Sequence, residues 1–533
     1  MSAGSRHPRA AGIAAALCAA ALLALAGPAT AAGPPGGLDS RAFELVSPVE
    51  KNGGVVGPPG SFFTGVLQAG VQDGAVAFGS PASFGEAVGS LPVNQYLATR
   101  GAAGWSSENV TPSALSGTYS AGAYELFSAD LGSAILNNGW RCRDGSGSCA
   151  VENPPLAPGA PPGYRNLYLR EADTFTPLVT STFPSLPSEP QDFQLAFEGA
   201  SPDLHHVVFS AEGSLYEWSE GFVEVISSDP GAALASGPGA VSADGSRVYW
   251  TLAGNLHLRE GGGSRLVAAG ASFQTASRDG SRAYFIQGEH LYRYQATSEA
   301  LSDLTSAGGA LAVIGLSDDG GVIYYVTSNG LHRFAAGAST RLLATGPSTL
   351  PPASGRAQAS ADGARFFFTS PAALLFHDTD GSADVYEWEA GGRGTCVQAG
   401  GCLALISDGR LGGAAFAGAS ASGDDAYFVT SAPLLPRDPD AALDLYDARV
   451  GGGFPEPEAQ VCFGDDCQGP SPVPDYEPPP TASLPGLGNR AVSFPRNCKP
   501  HKQRRKHKGC KRRHHRAHHR HEGGRSERAK AGR

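Results

Sequence analysis

Charge, methionine and long apolar runs are what this sequence has little of. Asp, Glu, Lys and Arg make up 17% of its 533 residues and methionine occurs once, whereas 41% of residues are hydrophobic. That balance excludes a disordered polyelectrolyte and leaves enough apolar surface for a packed core. Past residue 26, no run is long enough to cross a bilayer as a helix. Local signatures of catalysis are missing as well. There is no Gly-x-Ser-x-Gly elbow, no His-Glu-x-x-His and no phosphate-cradling loop, so no catalytic residue is assigned.

What is present begins at the N-terminus. Arg6 and Arg9 precede an apolar stretch at 10–26, and Ala29-Thr30-Ala31 places small residues at a cleavage position. Residues 1–31 therefore read as a secretory signal peptide. The expectation is a secreted protein, extracellular or associated with the cell envelope, with no membrane span after cleavage. Apart from Cys18, the cysteines fall in four close pairs: Cys142 with Cys149, Cys396 with Cys402, Cys462 with Cys467, and Cys498 with Cys510. Local, even pairing is what disulfides in an oxidising compartment produce, so four disulfides are expected. Zinc is the alternative, but the spacings are irregular and three of the pairs have no nearby His.

One motif recurs. Ser-x-Asp-Gly, or a relative, is followed by an aromatic or β-branched strand and then by Leu-Tyr-x-Arg or a relative. In the clearest copy Ser242-Ala243-Asp244-Gly245 precedes Arg247-Val248-Tyr249-Trp250, and Leu256-His257-Leu258-Arg259 follows. Eight copies are anchored at Asp73, Asp130, Asp203, Asp244, Asp279, Asp319, Asp362 and Ser422. The central anchors are spaced as four-stranded blades are, and the longer intervals imply loop insertions. Asp bonds backbone two residues on, and Gly supplies the positive φ of a tight turn. A lone blade cannot bury both faces, so copies must stack, and a closed ring removes bare sheet edges. The fold expected is all-β: a β-propeller of seven or eight four-stranded blades, eight by motif count, over residues 40–455. The segment Phe43-Glu44-Leu45-Val46 is expected to complete the last blade.

These residues resemble the TolB-like propeller repeats, whose usual signature is Ser-Pro-Asp-Gly before one strand and Ile/Leu-Tyr in the next. The resemblance covers roughly residues 40–455 and implies a propeller. The chain departs from the pattern in using Ala more often than Pro, and in having more copies than the usual six. The arrangement also resembles exported actinobacterial proteins in which a propeller precedes a Cys-containing basic tail, which implies architecture and export but no activity.

Beyond the repeats, residues 456–495 contain a short stapled loop and a Pro-rich linker. Residues 496–533 hold 16 Lys or Arg against two Glu, with seven His. This tail is a candidate for attachment to anionic cell-wall polymer through Arg504, Arg505, Lys506, Lys508, Lys511, Arg512, Arg513 and Arg516, against the plainer reading of a solvated, disordered tail. It has no interleaved aromatics, so base stacking is not indicated.

Two loops carry carboxylates in a repeated pattern. Asp378, Asp380 and Asp384 lie at i, i+2 and i+6 just before Val-Tyr, and Asp438, Asp440 and Asp444 repeat the spacing just before Leu-Tyr. Oxygen ligands at alternate loop positions suit calcium, although Asp is also common in solvated turns. His257 and His332 occupy equivalent blade positions, which favours strand residues over metal ligands. The functional expectation is a monomeric, non-catalytic scaffold that binds a protein or glycan, with specificity in the segments inserted after Gly132 and after Ser370. The alternative is a glycan-active hydrolase or lyase, which needs ionisable groups converging on the channel.

Overall fold

The computed structural model describes residues 32–61, 64–86, 92–112, 123–139, 154–344 and 357–455. The signal segment, the linker and the basic tail lie outside the described residues. So do three of the four expected disulfides: Cys142 with Cys149, Cys462 with Cys467, and Cys498 with Cys510. The fourth, Cys396 with Cys402, is formed. Among the described residues no helix is long and apolar enough to cross a membrane.

Alternating aromatic and β-branched residues bounded by Asp-Gly turns form short antiparallel strands, and these assemble into eight four-stranded sheets. Blades 1 to 7 are consecutive in the chain, at residues 68–109, 124–177, 195–227, 233–268, 272–303, 310–343 and 357–405. Blade 8 takes three strands from residues 414–450 and its fourth from Arg41–Leu45, paired antiparallel from Arg41↔Val450 to Leu45↔Tyr446. The N-terminal strand thus closes the ring, as the sequence implied. The core lies between blades. Tyr249, Tyr284, Tyr324 and Tyr427, all on second strands, are fully buried, and rings stack across blade boundaries, as Tyr324 does on Phe366 at 4.3 Å.

Each Ser-x-Asp turn joins the innermost strand of a blade to its second. In six of them the Ser hydroxyl donates to the Asp Oδ1 at 2.6–2.7 Å. The same Asp oxygen accepts the N–H two residues on, and the Ser oxygen accepts the N–H five residues on; Ser242, Asp244, Ser246 and Arg247 show all three bonds. Blade 8 repeats the arrangement with Ser422 in place of Asp. In blade 1 the turn is offset by one residue from the sequence anchor. Gly70 makes the backbone bond to Ala75 that Ser makes elsewhere, which leaves Gln72, not Asp73, in the Asp position. Gly280 shows why the motif ends in Gly: its φ is +67°, and a Cβ there would lie 3.0 Å from the Arg247 Cβ of the preceding blade.

The turns are also tied to one another. In seven of the eight blades the second residue of the turn donates its N–H to the carbonyl of its counterpart in the next blade. The links run Val71 to Ala129 (2.6 Å), Ala129 to Pro202 (2.7 Å), Ala243 to Arg278, Arg278 to Asp318, Asp318 to Ala361 and Ala361 to Ala421 (2.8 Å each), and Ala421 to Val71 (3.1 Å). The eighth link, from residue 202 to Ala243, lacks a donor because proline has no N–H. A hydrogen-bonded circlet therefore runs around the channel with one gap.

Candidate functional site

Irregular chain is distributed unevenly. In blades 3 to 6 the second and third strands are joined by the two-residue turns Glu212-Gly213, Ala253-Gly254, Gly288-Glu289 and Ser328-Asn329. In blades 7, 8, 1 and 2, which adjoin one another around the ring, the same connections span residues 371–383, 431–443, 81–93 and 138–166. The insertions expected after Gly132 and after Ser370 are two of these four.

The four long loops are built alike. Each leads into Asp/Asn-x-Tyr at the start of the third strand, with Asn166 of blade 2 one residue before it, and the Tyr hydroxyl accepts a loop N–H: Tyr386 from Leu374, Tyr446 from Leu434, Tyr96 from Phe84 and Tyr168 from Leu156. The residue two before the Tyr is Asp384 in blade 7, Asp444 in blade 8, Asn94 in blade 1 and Asn166 in blade 2.

Both predicted Asp triads are brought together. One oxygen from each of Asp378, Asp380 and Asp384 lies within 4.8 Å of the others, and the same holds for Asp438, Asp440 and Asp444. Tyr386 donates to Asp378, Ser407 to Asp384, and the N–H groups of Ser382 and Gly412 to Asp380. Burial, together with the charges of Asp380 and Asp378 and against the Ser407 hydrogen bond, pushes the Asp384 carboxyl up to about 6. In blade 8 Tyr446 donates to Asp438 and Ser47 to Asp444. There the Lys51 ammonium also contacts Asp444, at 2.8 and 3.0 Å to its two oxygens. Sequence reasoning missed Lys51, since nothing near it in the chain marks it as a partner of Asp444.

A cavity of about 810 Å³ occupies the central channel, lined largely by the innermost strands of blades 5, 6 and 7. Its walls are mainly Ala, Gly, Pro and aliphatic side chains with Gln274 and Gln358, and among the described residues its ionisable lining is Arg278 and Asp318, 3.6 Å apart. Gln274 and Gln358 each accept an N–H from the neighbouring blade, so they serve the ring as well as the wall. His257 stacks on Trp250 and His332 on Tyr325, as Tyr292 does on Phe285, which makes them strand residues in equivalent places. The disulfide between Cys396 and Cys402 staples the loop between the third and outer strands of blade 7.

No protein-family model matches the chain, and no curated protein matches it in sequence. Solved structures do. A putative TolB from Agrobacterium tumefaciens is 18% identical with a TM-score of 0.26, over 52% of this chain and 94% of that one. The chain's own strand pairing makes the fold an eight-bladed β-propeller. An oligogalacturonate lyase in complex with manganese matches at 10% identity and a TM-score of 0.38, over 79% of this chain and 98% of that one. A prolyl endopeptidase matches at 12% identity and a TM-score of 0.37, over 70% of this chain and 54% of that one. The chain also spans 32% of the length of the tricorn protease chain it matches. At these identities the likeness is one of fold alone.

Proposed function

We propose that this TolB-like propeller is a secreted, non-catalytic binding scaffold, with its ligand surface on the long loops of blades 7, 8, 1 and 2 and its basic tail holding it to anionic polymer of the cell envelope. The observation that carries the reading is the gathering of those loops on four adjoining blades, while the other four blades keep two-residue turns. Binding surfaces are carried on loops that a rigid scaffold positions. Within the blade 7 loop Phe376 presents an apolar ring that is 82% exposed. The ligand class is a protein or a glycan. In a chain of net charge −10, a tail with 16 Lys or Arg against two Glu suits a polyanion.

The test compares the chain lacking residues 1–31, the same chain also lacking 490–533, and a variant with 138–166 replaced by a two-residue turn. Each is assayed for pull-down on isolated cell envelopes across a salt series. Salt-sensitive binding that is lost with the tail, and a salt-resistant part lost with the loop, are expected. Equal binding by all three, or none by any, overturns the reading.

A further inference from the structure

We propose that blade 7 holds one hard divalent cation of the calcium type among Asp378, Asp380 and Asp384, and that in blade 8 the Lys51 ammonium stands where that cation would be. Four adjoining blades carry four versions of one site. Blades 1 and 2 carry neutral amides, Asn94 and Asn166, where blades 7 and 8 carry carboxylates. Blade 8 balances Asp444 with Lys51; both residues are buried, with side chains 1% and 3% exposed respectively. Ser47 and Ser407 correspond, since each donates its hydroxyl to the Asp that opens the third strand and accepts the N–H of the residue after it. Four residues beyond Ser47 is Lys51. Four residues beyond Ser407 is Leu411, an exposed aliphatic side chain.

Blade 7 therefore has the carboxylates without the lysine, and its oxygens show it. Asp384 is fully buried and Asp378 is 5% exposed, yet Asp378 Oδ1 has no hydrogen-bond partner, and the Asp384 carboxylate meets only the Ser407 hydroxyl and the Gly409 backbone N–H, with no cation. Among the described residues no cationic side chain pairs with the triad. In blade 8 both Asp444 oxygens contact Lys51, and Asp438 accepts from Tyr446 and from the Asp440 N–H. Buried carboxylates left unpaired are costly, and a metal ion is one of the few groups that answers three at once. The donor set is all oxygen and sits on a loop with Gly381 at φ +74°, the kind of adaptable site that calcium takes and that magnesium, with its strict octahedron, does not.

The experiment uses the purified chain, stripped with chelator and titrated with calcium chloride by calorimetry and thermal melting. One calcium per chain is expected, with a rise in Tm. Asp384→Asn abolishes both responses and, in metal-free buffer, melts above the parent because it removes an uncompensated charge. Asp444→Asn keeps the calcium response, and Lys51→Met raises the stoichiometry from one to two. Should Asp384→Asn fail to fold, Asp380→Asn reads the same loss. No heat and no Tm shift, two ions in the unmodified chain, a response to magnesium alone, or loss through Asp444→Asn but not Asp384→Asn each overturn the proposal.

Discussion

Glu389 is where single-residue chemistry becomes most directly measurable. It lies on the third strand of blade 7 against Arg365, 3.1 Å away, and both are buried. Burial, then the neighbouring Asp39 and the charge of Glu387, outweigh the Arg365 hydrogen bond and push its carboxyl from 4.5 up to about 7. A raised carboxyl pKa means that the folded state binds the proton more tightly than the unfolded one. Its stabilising contribution is then complete below pH 4.5 and lost as pH rises to about 7. Glu389→Gln should raise the Tm at pH 8 more than at pH 5 in metal-free buffer; an equal shift at both would show that the residue does not titrate in this window. At this scale legibility follows sequence distance. The Asp triads each fit within seven consecutive residues, so their spacing was visible. Lys51 and Asp444 are 393 positions apart, and only the closed ring brings them together.

The element that defines the molecule is the Ser-x-Asp turn, and nearly all of its chemistry is local. Its bonds connect residues two and five apart, which explains why all eight turns could be counted without coordinates. The one-residue offset in blade 1 arose because Asp73-Gly74 is itself a good turn signal, lying next to the true Asp position at Gln72. What no local pattern showed is the circlet linking the turns, and it gives meaning to the departure from Ser-Pro-Asp. Ala, Arg, Asp and Val at the middle position keep the N–H that proline lacks. Blade 3 shows that the turn accommodates proline, so Ala361→Pro should fold and lose only its bond to Ala421. The expected cost in denaturant unfolding is about 1 kcal/mol, the worth of one hydrogen bond partly offset by a stiffer unfolded chain. A variant that does not fold would mean that the circlet, not the turn, carries the geometry.

At the scale of the whole molecule, stability depends on how the closing strand is held. Arg41 is bidentate to Glu387 of blade 7, at 2.9 and 2.8 Å, and donates to the carbonyls of Gly423, Asp424 and Ala448. On the same strand Glu44 accepts two bonds from Arg100 and one from Trp105, both of blade 1. One five-residue strand is thus ion-paired to the blades on either side of its own. The ring and its closing strand were readable because the repeats were counted and an apolar strand remained at the N-terminus. The clamps were not, since each joins residues from opposite ends of the chain or from different blades. Arg41→Ala leaves Glu387 without its bidentate partner and should cost about 3–5 kcal/mol, read as a lower denaturant midpoint. A midpoint matching the parent would show that the neighbouring Arg365, 3.4 Å from Glu387, suffices alone.

The antiparallel pairing of the closing strand also sets how the ring responds to mechanical load. Arg41 lies beside Val450, so the two ends of the propeller leave from the same edge of blade 8. Tension applied between them would not shear five residue pairs at once but would peel them in order, beginning at Arg41↔Val450. The side chain on that first pair is the one anchored to Glu387 and three carbonyls, so the geometry most open to unzipping carries its strongest fastening at the point where the zip begins.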